Sequence, residues 1–326
     1  MPNEEIPPAA TTSALDLTDI GTLRALLRRH GVIQTNKGLG QHLLISRKAL
    51  ETVVAAAELG AEDNVLEVGA GSGVLTVELA QRAHRVVAVE MDRAILPALQ
   101  EVVALYPNVE IIPRDLLTVH PEDIFGQQPY KFVANLPYYI TALILRHILE
   151  AAARPERLVV MVQREVAERM TATPGDMSLL AVSAQFYGTP RVVAQVPATA
   201  FYPAPKVDSA VVRLDLFPQP PLDGAAREFF FSLARAGFAE KRKQLHNTLE
   251  RNLRLAPEQV LGWLAASEIE PERRAQSLSL EEWLRLTAAA QADPPRPIPE
   301  ETRRERRDRK RATGQTDDAE GERALQ

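Results

Sequence analysis

The stretch "VLEVGAGSGVLTVELA", residues 65–80, runs from a β-branched segment through three glycines into helical spacing. A strand, a Gly-rich turn and a helix in this order let the backbone come close to a ligand, and the helix start offers unpaired N–H groups. A dinucleotide fingerprint requires glycine at 69, 71 and 74, but position 74 is Val. The pattern present is Gly69-Ala70-Gly71-Ser72-Gly73, with Glu67 two residues ahead of it. Outward from there, Glu90 ends the next β-rich run, "RVVAVE" 85–90, 21 residues after Gly69. A carboxylate at that place suits the two hydroxyls of a ribose. Asp115 ends a third run, "VEIIPRD" 109–115, where a side chain can accept the amino group of an adenine.

Two more β-rich runs follow, "KFVAN" 131–135 and "RLVVMVQ" 157–163, and helical spacing occupies 48–59, 74–83, 93–105 and 141–153. Strands separated by helices predict a parallel, doubly wound α/β sheet. Beyond residue 180 the runs "RVVAQVP" and "SAVVRLDLF" predict antiparallel strands that close one sheet edge. A Pro-rich joint, "FPQPPLDG" 217–224, leads into a helical segment. The expected organisation is an N-terminal extension (1–34, partly disordered), a catalytic domain (35–217), a small helical domain (218–290) and a disordered charged tail (291–326).

Composition narrows the chemistry. The chain of 326 residues is 45% hydrophobic and 25% charged, ordinary for a soluble globular protein. With no cysteine there is no disulfide, thiolate zinc site or cysteine nucleophile. The six histidines (30, 42, 84, 120, 147, 246) show no metal-ligand spacing, so no metal is expected. No apolar run approaches the roughly 20 residues of a membrane span, and the acidic N-terminus does not resemble a signal peptide, so a cytoplasmic location is expected. The net charge of −5 conceals local contrast: residues 1–20 hold four acids, while "ETRRERRDRKR" 301–311 holds seven bases and three acids.

The fourth strand ends in Asn135-Leu136-Pro137-Tyr138. This resembles the Asn-x-Pro-Tyr motif of enzymes that methylate exocyclic amines of bases, and the chemistry of such a target explains these residue types. An adenine amine is a poor nucleophile because its lone pair is delocalised into the ring. The Asn135 side-chain oxygen and the Leu136 carbonyl can accept its two N–H bonds, favouring a pyramidal, more nucleophilic nitrogen. Pro137 has no N–H and fixes the turn, and Tyr138 offers a ring on which a flipped-out base can stack. Tyr139 is expected to be packing. In-line positioning of amine and methyl donor then supplies most of the rate, without metal or covalent intermediate.

Gly-x-Gly, Glu and Asp at three successive strand ends resemble the S-adenosylmethionine-dependent methyltransferase fold, and Asn-Leu-Pro-Tyr resembles the motif of enzymes that methylate exocyclic amines. Together with "KGLGQHLL" 37–44, "AVEMDR" 88–93 and "FYPAPKVDSAVVRL" 201–214, these motifs resemble the ribosomal RNA adenine dimethyltransferases, most closely the small-subunit type, over about 35–285. The resemblance implies S-adenosylmethionine as cofactor and transfer of two methyls to each of two adjacent adenosines near the 3′ end of 16S rRNA. The expected substrate is the small ribosomal subunit and the expected state a monomer. It implies cofactor contacts at Gln41, His42, Leu44, Gly69, Glu90, Asp115 and Asn135, to which the Gly-rich turn adds Gly71. The family pattern Gly-Gln-Asn-Phe-Leu reads Gly40-Gln41-His42-Leu43-Leu44 here, so the polar contacts of His42 are altered.

The resemblance also places Phe201 beside the target base, as a stacking wall or as plain core. Lys206 could meet a phosphate or stay solvated, and Gln163 could line the site or cap a helix. Arg235, Lys241, Arg242 and Lys243 lie among the leucines of an amphipathic segment and are assigned to an rRNA phosphate grip. The alternatives are a large-subunit resistance methyltransferase, a non-catalytic ribosome assembly factor and an NAD-dependent oxidoreductase. They are disfavoured by Leu136 in place of Ile, by the intact motif residues and by Val74, respectively.

Overall fold

The computed structural model describes residues 15–32 and 41–296. Expectations for 1–14, for the first half of "KGLGQHLL" and for the basic tail lie outside the described residues. The chain divides between Asp223 and Gly224 into two compact units.

Among the described residues the first unit holds nine strands: β1 (Leu43–Leu44), β2 (Asn64–Val68), β3 (Arg85–Val89), β4 (Val109–Ile112), β5 (Lys131–Asn135), β6 (Arg157–Gln163), β7 (Gly188–Val196), β8 (Phe201–Tyr202) and β9 (Ser209–Leu216). Its main sheet runs β4-β3-β2-β5-β6-β9-β7, parallel from β4 to β6 and antiparallel over the last two pairings. The predicted α/β sheet with an antiparallel edge is therefore present. All five residues of β2 are buried, as are the central residues of β5 and β6. Such continuous burial requires helices on both faces. These are α1 (Ile20–Arg29), α2 (Arg47–Ala57), α3 (Val74–Ala80), α4 (Leu96–Val103), α5 (Pro121–Phe125), α6 (Thr141–Glu150), α7 (Arg164–Met170) and α8 (Leu179–Tyr187). The short strands β1 and β8 form a separate antiparallel ribbon, Leu43 opposite Tyr202 and Leu44 opposite Phe201.

From β2 the chain winds first towards β3 and β4, then returns to β5 on the other side. Ligands of doubly wound sheets bind at this reversal, outside the carboxyl ends of the strands. One expectation is corrected, that Asp115 ends a strand. Within the N-terminal extension the described residues hold α1, which Asp19 caps by accepting the Thr22 N–H at 2.8 Å. Leu23, Leu26 and Leu27 of α1 are core residues, each contributing about 1.5–3 kcal/mol of burial. Strand β4 stops at Ile112 because Pro113 follows and has no N–H for a ladder. Asp115 thus sits in the loop beyond it, accepting the Leu117 N–H at 3.0 Å.

The second unit is helical, with α9 (Gly224–Phe238), α10 (Leu245–Leu253), α11 (Pro257–Ala266) and α12 (Leu280–Ala292). Its core holds Phe230, Leu233, Leu249, Trp263, Trp283 and Leu286. Gly237 allows α9 to meet Trp283 closely, since a Cβ there would lie 2.4 Å from the indole.

Candidate active site

At the carboxyl ends of β2, β3 and β5 lies an open cavity of about 920 Å³, its mouth included, large enough for a nucleoside-sized ligand. On the cofactor side its lining includes Gln41, His42, Leu44, Gly69, Gly71, Glu90 and Asp115. On the strand-four side it includes Asn135, Leu136, Pro137 and Tyr138. The fold thus brings these eleven positions, distant in sequence, to one place.

The turn after β2 shapes the floor. Gly69, Gly71 and Gly73 have φ of +70°, +56° and +85°, the left-handed region in which a side chain is strained. A Cβ on Gly71 would also come within 2.9 Å of Leu43 Cδ2. Glu90 is 5% exposed, and its two oxygens accept the Gly71 N–H at 2.9 Å and the Asp92 N–H at 2.8 Å. Burial raises its pKa, opposed by these backbone donors. Asp92 in turn accepts from Gln41 Nε2 at 2.7 Å, fixing Gln41 at the rim.

Glu67, quoted in the opening motif but given no role there, lies one strand inward. It is 1% exposed, and its Oε2 has no hydrogen-bond partner. Burial pushes its pKa up to about 8, with the Thr76 hydroxyl opposing and the nearby Glu90 charge adding to the rise. The floor therefore holds a buried Glu90 whose two oxygens are each met by a backbone donor, beside a Glu67 carboxyl that burial keeps protonated at neutral pH.

Asn135 ends β5, where its Nδ2 donates to the His42 carbonyl at 3.0 Å. That bond orients the amide and leaves Oδ1 as its acceptor. The Leu136 N–H donates to Met161 O at 3.1 Å, while the Leu136 carbonyl accepts no hydrogen bond among the described residues. Pro137 closes the turn: its carbonyl accepts from Ile140 N–H and from the Thr141 hydroxyl, at 3.3 and 2.9 Å. Tyr138 shares a hydrogen bond of 2.6 Å with Ser209 on β9. Burial raises the phenol pKa.

Several side chains stand elsewhere than the sequence suggested. The His42 ring stacks on Tyr138, centroids 5.6 Å apart, and Nδ1 lies 2.7 Å from Pro203 O. Its Nδ1 is thus committed to the protein, at the base side of the cavity. Tyr139, expected to be packing, is 52% exposed and lines the cavity with Met91 and Arg114. Burial, and after it the charges of Asp115 and Glu90, raise its phenol pKa. Phe201 is 3% exposed, belongs to the core and is absent from the lining, so no face is open for a base. Gln163 precedes α7 but makes no side-chain capping bond. Lys206 is exposed on the loop after β8. In the second unit, Arg235 on α9 and Lys241, Arg242 and Lys243 in the turn before α10 are exposed. Among the described residues no cluster of His, Asp and Glu could hold a metal.

Comparison with known proteins bears on this arrangement. A protein of Dehalococcoides mccartyi named ribosomal RNA small subunit methyltransferase A is 47% identical over 255 residues, 78% of this chain and 88% of that protein. One of the same name from Lactiplantibacillus plantarum is 40% identical over 290 residues, 86% of this chain and 98% of that protein. The crystal structure of a dimethyladenosine transferase from Plasmodium falciparum has a TM-score of 0.66 at 25% identity, covering 78% of this chain and 99% of that one. That of the 23S rRNA methyltransferase ErmE has a TM-score of 0.62 at 32% identity, covering 76% and 98%. The ribosomal RNA adenine dimethylase family matches residues 32–292, a span that includes every residue lining the cavity. On that match the chain belongs to the ribosomal RNA adenine dimethylase family.

Proposed function

We propose that the chain dimethylates the 6-amino groups of two adjacent adenosines near the 3′ end of small-subunit rRNA. It acts in the cytoplasm as a monomer, on the small ribosomal subunit. The observation that carries this reading is the pair of unspent acceptors, Asn135 Oδ1 and the Leu136 carbonyl, beside the Tyr138 ring. Two convergent acceptors next to an aromatic face match an exocyclic amine on a flipped-out base.

S-adenosylmethionine, the methyl donor of this family, supplies when bound an electrophilic methyl on a cationic sulfonium. The residues present fit it. Glu90 offers a carboxylate prearranged for the ribose hydroxyls, and the glycine turn leaves room that a Cβ at Gly71 would fill. Asp115 stands at the rim for the adenine amine. Asn135 and Leu136 hold the two amine protons of the target, and Tyr138 fixes the plane of its ring. After one methylation a single N–H remains, so one acceptor suffices for the second transfer. Preorganised acceptors cost no reorganisation at the moment of reaction.

Relatives at 40–47% identity carry the small-subunit name, against 32% for the 23S enzyme. Incubating the protein with methyl-labelled donor and undermethylated small subunits, then mapping the modified bases, tests the assignment. Label is expected on two adjacent adenosines near the 3′ end. Label on large-subunit RNA alone would overturn the substrate, and a bound but unlabelled particle would indicate an assembly factor.

A further inference from the structure

Helix α1 lies ahead of the residues matched by the family, and its chemistry is unassigned. Arg24 and Arg28 stand one helical turn apart on its exposed flank, beside the buried leucine stripe. The third arginine of the helix, Arg29, pairs with Glu101. Neither Arg24 nor Arg28 has a carboxylate within ion-pair distance among the described residues; Arg28 Nε donates to the Arg24 carbonyl at 3.2 Å. A helix that needed these arginines only for folding would be expected to pair them, as it pairs Arg29.

Arg24 is tied to the base side of the cavity, and Arg28 follows it one turn along the helix. The Arg24 guanidinium lies 4.7 Å from the centroid of the Tyr202 ring. Tyr202 faces Leu43 across the β1–β8 ribbon, and its neighbour Pro203 meets His42 Nδ1 at 2.7 Å. His42 stacks on Tyr138. Lys206, exposed and without an ion-pair partner among the described residues, lies in the same loop. A guanidinium stacked on a ring uses its face and keeps its in-plane N–H rim for an anion.

We propose that α1 is an RNA-binding element of the catalytic unit: Arg24 and Arg28, with Lys206, take phosphates adjoining the target adenosine as its base enters the cavity. The inference rests on the rRNA reading above and adds a second grip, at the reacting nucleotide itself. The Arg24–Tyr202 contact and the Arg28 bond to the helix backbone leave both guanidinium groups with donors to spare.

The test is the salt dependence of binding to undermethylated small subunits by the full-length protein. Each phosphate contact on single-stranded RNA contributes about 0.7 to the log–log slope. Arg28→Gln is expected to make the slope shallower by about 0.7, and Arg24→Gln with Arg28→Gln by about 1.4. Affinity for S-adenosylmethionine and the melting temperature should stay at wild-type values. The double Lys variant, Arg24→Lys with Arg28→Lys, keeps the charges and should restore most of the slope. A wild-type slope in the double Gln variant would overturn the proposal, as would an equal loss in the double Lys variant, which would point to packing. Because the slope is read from binding alone, absence of methyl transfer by the wild type would count against the functional reading and not against α1.

Discussion

Asn135 can serve an amine only because its own amide nitrogen is occupied by the His42 carbonyl, which leaves the oxygen as the free end. Replacing it with Ala removes one of two acceptors that act where charge develops, a type of loss worth about 10²–10³ in rate. Asn135→Ala is therefore expected to lower methyl transfer at least that far while particle binding stays nearly unchanged. Equal loss of binding, measured on the same particles, would remove the role given to this residue. Glu67 makes a different prediction. Its carboxyl stays protonated in the fold up to about pH 8, whereas in the unfolded chain it ionises near its ordinary value of 4.5. Below pH 4.5 both states hold the proton and the buried group carries no pH-dependent penalty. As pH rises from there towards 8 the unfolded chain gives up its proton first, so stability falls by about 1.4 kcal/mol per pH unit. Glu67→Gln abolishes that slope and should raise the melting temperature relative to wild type more at pH 8 than at pH 5. Thermal unfolding of the cofactor-free protein at both pH values measures this, and an identical difference at the two would sink it.

The strand–turn–helix around Gly71 was legible in the sequence because its demands are local: left-handed φ values require glycine, and buried parallel strands require unbroken apolar runs. Gly71→Ala tests that element directly. The new Cβ would strain a backbone at φ +56° and meet Leu43 Cδ2 at 2.9 Å, against the ribbon that walls the cavity. Cofactor affinity is expected to fall by more than tenfold, the equivalent of about 1.4 kcal/mol, as calorimetric titration with S-adenosylmethionine would report. Retention of wild-type affinity would show that the turn tolerates a side chain. What the sequence concealed was set by distant partners. Neither the bond from His42 to Pro203 nor that from Tyr138 to Ser209 has a local signature, since each joins residues more than 70 positions apart. The same applies to Tyr139 and Phe201. Their aromatic character does not reveal that the turn after β5 points one outward while the β1–β8 ribbon buries the other. Helix α1 was obscured by its acidic, Pro- and Thr-rich surroundings, although its Asp19 cap and its Leu23, Leu26 and Leu27 stripe follow ordinary helical rules.

At the scale of the whole molecule, the proposed chemistry and the proposed helical-unit grip on RNA fall in different units. The catalytic unit holds every cavity residue, while the helical unit has its own core around Trp263 and Trp283. The protein carries a net charge of −5, so a polyanion must be met by local groups of cations and not by the molecule's overall field. Lys241, Arg242 and Lys243 form such a group: consecutive, exposed, in a turn, and without carboxylate partners among the described residues. Their bases stand outside the hydrogen-bonded body of α9 and α10, so replacing them leaves Leu245, Leu249 and the tryptophan core undisturbed. Substituting all three by Gln is expected to flatten the log–log salt slope of small-subunit binding by about 2, at about 0.7 per lost phosphate contact. Cofactor affinity in the other unit should not change, and the maximal rate at saturating particle should stay close to wild type, because the proposed amine acceptors, Asn135 and Leu136, belong to the catalytic unit. The loss would therefore appear in KM for the particle. A fall in kcat with an unchanged salt slope would instead mean that this turn acts on the catalytic unit and not on RNA.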